Sequence, residues 1–223
     1  MAQTNEHGRI IAATAKTALV PLGFQRKGAS RIWFADNGYW LLVVEFQPSG
    51  WSKGSYLNVA THWLWSSISD GLQVVLSFDY GGRAAGFISF ESEAQFLPQA
   101  ASLADIAAAE SVRLSGLLVS IEAIADCLIA EERQASDEKL GGQWGAFHAG
   151  IAAALAGKST TARTMFDAIL VKPPLPGSVL HSMAQRMSDL LDDSVAFRRH
   201  VFGVIDGQRE KLKLPPFNTG PLT

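Results

Sequence analysis

Five of this chain's six tryptophans, Trp33, Trp40, Trp51, Trp63 and Trp65, fall in one stretch that reads as strands. Phe34, Tyr39, Phe46 and Tyr56 share the stretch. Aromatic surface on this scale either fills a core or forms a stacking platform for a ligand. Asn37-Gly38 bears on the choice, because it is the strongest hairpin signal in the chain: a type I′ turn needs positive φ at both central residues. That turn predicts strands Arg31 to Asp36 and Tyr39 to Gln47, with Asp36 opposite Tyr39, Phe34 opposite Leu41 and Trp33 opposite Leu42. One face then carries Ile32, Phe34, Tyr39, Leu41 and Val43. The other carries Arg31, Trp33, Trp40, Leu42, Val44 and Phe46. Both faces are apolar, so both need cover, and most of the aromatics are expected in the core.

The rest of the chain supplies that cover. An opening helix is predicted from about Asn5 to Val20, ended by Pro21 and Gly23. Phe24 to Gly28 reads as a short strand. After the hairpin, Pro48 to Ser55 is a loop holding Trp51 and Lys53, and Tyr56 to Trp65 is a strand. Asp70-Gly71 reads as a turn and Leu72 to Tyr80 as a strand, broken by Gly81-Gly82 before a short edge strand at Phe87 to Phe90. From Ser92 the chain reads as helix. Ser102 with Asp105 resembles a capping box opening a long helix to about Arg133, with Leu103, Ile106, Leu114, Leu117, Ile121, Ile124 and Leu128 as its buried stripe. Gly141-Gly142 separates it from helices at Trp144–Ala156 and Thr160–Val171. Pro173, Pro174, Pro176 and Gly177 break the chain before two last helices, near Val179–Leu190 and Ser194–Leu214, and a frayed tail.

Strands first and helices second predict an α+β fold. It comprises an N-terminal helix with an antiparallel sheet of about 4–6 strands, followed by a C-terminal helical bundle. The expected division is residues 1–91 and 92–223, with the helical part packed on the sheet.

Composition sets exclusions. Hydrophobic content of 48% with 18% charge excludes wholesale disorder. Met1 to Arg9 has no apolar region of a secretory leader, and Leu114 to Ala130, interrupted by Glu122 and Asp126, is too short and charged to span a bilayer. The single cysteine, Cys127, excludes an intramolecular disulfide framework and suits a cytoplasmic location; beside Ile124 and Leu128 it is expected to be a buried, inert thiol. Charge is uneven: residues 1–60 hold six basic and three acidic side chains, residues 61–150 four and twelve, and residues 151–223 nine and six. A solvated helix face is the favoured account of the acidic middle, with complementarity to the basic ends or a partner site as the alternatives.

The chemical motifs fail on inspection. Gly157-Lys158-Ser159-Thr160 ends like a phosphate-binding loop, but Ala152 stands where the first glycine belongs and a helix precedes it. Gly157 is better read as a helix C′ residue, with Ser159 or Thr160 capping the next helix. Gly81 to Gly86 lacks dinucleotide spacing and a βαβ unit. Gly150, Ala153, Ala162, Phe166 and Pro174 fall at tetratricopeptide spacings, which here describes an ordinary helical hairpin. The five histidines and Cys127 show no metal-ligand spacing, and no serine sits in a nucleophile elbow. Neither metal nor cofactor is implied. Glu45, in an apolar strand, is expected to pair with an arginine such as Arg26.

Leu22-Gly23-Phe24, Arg26-Lys27-Gly28, Val44-Glu45-Phe46-Gln47, Trp51 and Tyr56-Leu57-Asn58-Val59 together resemble a bacterial family catalogued as domain of unknown function 4304. Its members show a helix, a GF-x-[RK]-x-G entry, a strand ending in NFQ and a later strand around an Asn. The resemblance covers residues 5–95 and departs at Glu45, where the family pattern often has Asn. It implies an α+β fold and no established activity.

The functional expectation is therefore a non-enzymatic binding or protein-interaction module of the bacterial cytoplasm, the bacterial part resting on the resemblance. Arg26, Lys27, Gln47, Trp51, Lys53 and Asn58 combine cation, amide and aromatic in one region, a set suited to a partner protein or a polar or anionic ligand. For Gln47 and Asn58 the favoured expectation is the plainer role of satisfying backbone groups in the Pro48–Ser55 loop. Single-stranded nucleic acid, stacked on the aromatics with Arg26, Lys27, Arg31 and Lys53 on phosphates, is the disfavoured alternative. An enzyme with a pocket near Glu45 and His62 is the third.

Overall fold

The computed structural model describes residues 6–66, 76–137, 143–172 and 179–220. Leu72 to Val75 and the expected turns at Asp70-Gly71, Gly141-Gly142 and Pro173–Gly177 lie outside them. The architecture is α+β: helix α1 (Glu6–Leu19), strands β1 (Gln25–Arg26), β2 (Ile32–Asp36), β3 (Trp40–Glu45), β4 (Gly54–Trp63) and β5 (Tyr80–Ser89), then helices α2 (Glu93–Leu117), α3 (Ile121–Asp137), α4 (Gln143–Leu155), α5 (Ser159–Leu170), α6 (Leu180–Leu190) and α7 (Ser194–Lys211). Two compact units divide it elsewhere than at residue 91. The first is Met1–Trp63 with Val75–Gly116, and the second is Leu64–Val74 with Leu117–Thr223.

In the first unit the five strands form an antiparallel meander in chain order. The β2–β3 register differs by two residues from the expected one: Phe34 opposes Val43 and Trp33 opposes Val44. Only Gly38 takes positive φ (+83°), so no two-residue type I′ turn forms. Instead Asn37 N–H donates to Trp40 O at 3.0 Å and Gly38 N–H to the Asp36 carboxylate at 2.9 Å. A shift of two keeps every side chain on its face, because the strand period is two. Leu41, Val43 and Ala60 on one face and Trp33, Leu42, Val44 and Val59 on the other are all buried.

The glycine pair Gly81-Gly82 does not break a strand but lies inside β5. Gly81 sits opposite Ala60 with φ +99°, and a Cβ there would lie 2.7 Å from the Val59 carbonyl oxygen. Glycine permits this close backbone approach. Conversely, β4 ends at Trp63, and Trp65 falls in the second unit.

The long helix expected from Ser102 is two helices. It starts earlier, at Glu93, where Ser92 Oγ accepts from Gln95 N–H and the Gln95 side chain accepts from Glu91 N–H; the capping bonds are here, not at Ser102. The helix stops at Leu117, and α3 begins at Ile121. Its buried face is Phe96, Ala100, Leu103, Ala107, Ser111 and Leu114, whereas Ile106 and Leu117 are exposed. Small residues pack this face closely, which a reading based on large aliphatics overlooks.

In the second unit α4 is buried nearly all round, through Phe147, Ala149, Ile151 and Ala153 among others, and packs against α3, α5 and α6. Gly157 ends it as a C′ residue at φ +75°: Gly157 N–H donates to Ala154 O and Lys158 N–H to Ala153 O, a Schellman pair. Lys158 itself, rather than Ser159 or Thr160, is the N-cap of α5, without a side-chain cap. Cys127 is half-buried rather than buried. The tail is docked as far as Phe217: Phe217 N–H donates to Asp206 at 2.9 Å, its ring meets Phe202 edge-on, and Arg209 Nε donates to Pro215 O at 2.7 Å.

Candidate functional site

The β3–β4–β5 registers place Glu45, Asn58 and Arg83 side by side in one row across three strands. Asn58 is buried, and its amide nitrogen donates to Glu45 Oε2 at 2.9 Å and to Gln47 Oε1 at 3.2 Å. Arg83 Nη2 donates to the same Gln47 oxygen at 2.9 Å. The Arg83 guanidinium also stands 4.1 Å above the Tyr56 ring, which packs on Phe87 at 5.0 Å. The expected Glu45–Arg26 pair does not form. Arg26 bonds instead to the carbonyls of Ser30 (2.6 Å) and Ala29 (3.0 Å), which close the β1–β2 turn, while the Asn58 amide occupies Glu45.

Glu45 also forms part of the wall of a cleft of about 500 Å³ between α1 and the β1–β2 edge, lined by Arg9, Arg26, Arg31, Ser30, Ile32 and Pro48 among others. Three guanidinium-bearing residues face one carboxylate there. Arg31 is half-buried, and Nη1 donates to Gly54 O at 3.2 Å. Burial first, then the charge of Arg26, lowers its pKa. His7 in the first turn of α1 is likewise held below its ordinary value, by burial and then by the charges of Arg31 and Lys53. Positive charge is thus concentrated at this end of the sheet.

Pro48 leads from the cleft into the loop before β4. Trp51 is 98% exposed there, with its backbone N–H held by Ser49 Oγ at 3.1 Å. The loop base is fixed by Tyr56 N–H to Gln47 O at 2.9 Å and Phe90 N–H to Lys53 O at 2.9 Å. These bonds fix the backbone of the loop that carries the exposed indole.

Of the six expected site residues, Gln47 and Asn58 are bonded to each other, Arg26 lines the neighbouring cleft, and Trp51 and Lys53 are exposed on the intervening loop. Lys27 lies in the β1–β2 turn, where its carbonyl accepts from Ser30 N–H and Ser30 Oγ–H. Arg83 is the residue the sequence reading missed. It follows Gly81-Gly82, and taking those glycines as a turn removed it from the sheet. His62 shares Glu45's face but lies two cross-strand rows away, roughly 13 Å along the strand at about 3.3 Å per residue. Its Nδ1 meets Ser77 Oγ at 2.8 Å. Lys158, in the phosphate-loop lookalike, is ion-paired with Asp126.

Among the described residues there is no group of three or more His, Cys, Asp or Glu placed to hold a metal ion, and no helix is long and apolar enough to cross a membrane. Comparison with family models, with curated proteins and with solved structures found no match to this chain.

Proposed function

We propose that the chain is a non-enzymatic binding module of the bacterial cytoplasm that receives an acidic segment of a partner protein at the Trp51 loop and the adjoining arginine cleft. The observation that carries this reading is the exposure of Trp51 beside a cleft whose arginines outnumber its carboxylates. Tryptophan and arginine are the residues most enriched at the energetic centres of protein interfaces, and a guanidinium cluster selects carboxylates. The sheet aromatics support a core role: Trp33, Trp40 and Trp63 are buried, which leaves little platform for stacked bases.

The test is a titration of acidic peptides carrying one or two leucines, followed by tryptophan fluorescence, against the native chain and the variants Trp51→Ala and Arg31→Gln. Salt-sensitive binding that weakens at least tenfold in each variant is expected. Equal binding by either variant overturns the reading, and tighter binding of a single-stranded oligonucleotide replaces it with the nucleic-acid alternative.

A further inference from the structure

The second unit holds a cavity of its own. Its volume is about 220 Å³, between α4, α6 and α7, and its walls include Trp65, Phe147, Ile151, Met183, Met187 and Val201. The one polar group on Trp65 is satisfied elsewhere, because the indole N–H donates to His148 Nδ1 at 3.2 Å. The aromatic part of the chamber is therefore dry in character, and the two methionines let it adapt to shape. An apolar cavity of roughly 150 Å³ already accepts benzene, so this one has room for a slightly larger apolar body.

Two polar groups interrupt the apolar lining, the cationic guanidinium of Arg186 on α6 and the imidazole of His200 on α7. Both also line a shallower trough that continues outward past Val204 and adds Arg199. Arg186 and His200 have no carboxylate partner among the described residues. The imidazole of His200 is held below its ordinary pKa by burial and then by Arg186, so the arginine charge is felt where the chamber meets the trough. An apolar pocket with a few convergent polar groups at one end is the usual form of a small-molecule site.

From this juxtaposition we infer that the second unit binds a small amphipathic carboxylate, with a medium-chain alkyl or single aryl body in the Trp65–Phe147 chamber and the carboxylate between Arg186 and His200. The site uses no residue of the Trp51 region. A long-chain lipid exceeds a chamber of about 220 Å³, and a neutral apolar molecule of the same size gains nothing from the Arg186 charge.

Octanoate and 1-octanol, titrated into the full chain by calorimetry and by ligand-observed NMR, test the inference. Octanoate is expected to bind at least tenfold more tightly than octanol. The double variant Arg186→Gln/His200→Gln changes residues at the cavity mouth, and it should bring octanoate down to the level of octanol. Val204→Trp, which fills the junction of chamber and trough, should abolish binding of both while circular dichroism stays native. Equal affinities in the native chain, retained preference in the double variant, or unaltered binding with the junction filled each overturn the proposal. Should the filled variant misfold, the charge variant alone decides.

Discussion

Asn58 bridges Glu45 and Gln47 with a single amide nitrogen, at 2.9 and 3.2 Å, from a buried position in the middle strand of the row. Each bond is worth about 1 kcal/mol net, and a buried acceptor left without its donor costs about 1–3 kcal/mol. Asn58→Leu is therefore expected to destabilise the chain by about 2 kcal/mol in urea unfolding. Asn58→Asp removes both donors and sets a second carboxyl beside Glu45. That carboxyl's pKa is raised in the folded state, so its destabilisation is smallest below the ordinary aspartate value and grows as pH rises through the raised one. A variant whose stability deficit shrinks with rising pH contradicts the geometry.

Arg31 and Lys53 act on His7 in the same direction as burial, lowering its pKa. A folded state that holds a histidine neutral binds fewer protons than the unfolded chain between that lowered pKa and about 6.5. Stability attributable to His7 is therefore intact above about pH 6.5 and is lost as pH falls toward the folded value. Proton NMR of the His7 ring should report a pKa below 6.5 in the native chain. Arg31→Gln should raise it only part of the way, because burial is the larger cause. A complete return to the ordinary value would assign the shift to charge alone.

Much of the architecture was legible in residue order. The positions of α1 and α4 to α7 follow from apolar periodicity and from breakers such as Pro21, Gly23 and Gly157, and the antiparallel sheet follows from short connections. Two of the failures share one cause, namely that a local signal was read without its neighbour across the fold. Gly81 is needed because the Val59 carbonyl approaches it, and nothing within residues 80–86 reveals that approach. Ala100, Ala104 and Ala107 form the packed face of α2 because close contact favours small side chains, while the larger Ile106 faces outward. In the candidate site, Gln47, Trp51 and Asn58 were visible as types. The link of Gln47 and Asn58 to Arg83 depends on the β4–β5 register, which the misread glycines concealed.

Lys213 is the sole non-glycine residue with positive φ among the described residues, at +58°. It closes α7 as a C′ residue: Lys213 N–H donates to Glu210 O and Leu214 N–H to Arg209 O. A side chain in this left-handed conformation costs roughly 1 kcal/mol, and glycine carries no such penalty. Lys213→Gly is expected to stabilise the chain by about 0.5–1 kcal/mol. The gain should appear as a higher urea midpoint with an unchanged slope. A loss of stability would mean that the helix ends in another way.

Gly150 faces the ring of Phe166 across the α4–α5 hairpin, and a Cβ on it would stand 2.6 Å from the ring edge. Two effects of Gly150→Ala oppose each other. Alanine favours a helix interior by about 1 kcal/mol over glycine. Overpacking a tight core costs about 1–3 kcal/mol. Phe166 has little room to retreat, because it is fully buried and its ring lies 6.1 Å from that of Phe147. The clash should win, with a net loss of about 1–2 kcal/mol. In a Phe166→Leu background the ring edge is gone, so the same substitution should become neutral or stabilising. This change of sign across a double-mutant cycle separates close packing from any other effect of the extra methyl group. An equal loss in both backgrounds would mean that Phe166 is not what excludes a side chain at position 150.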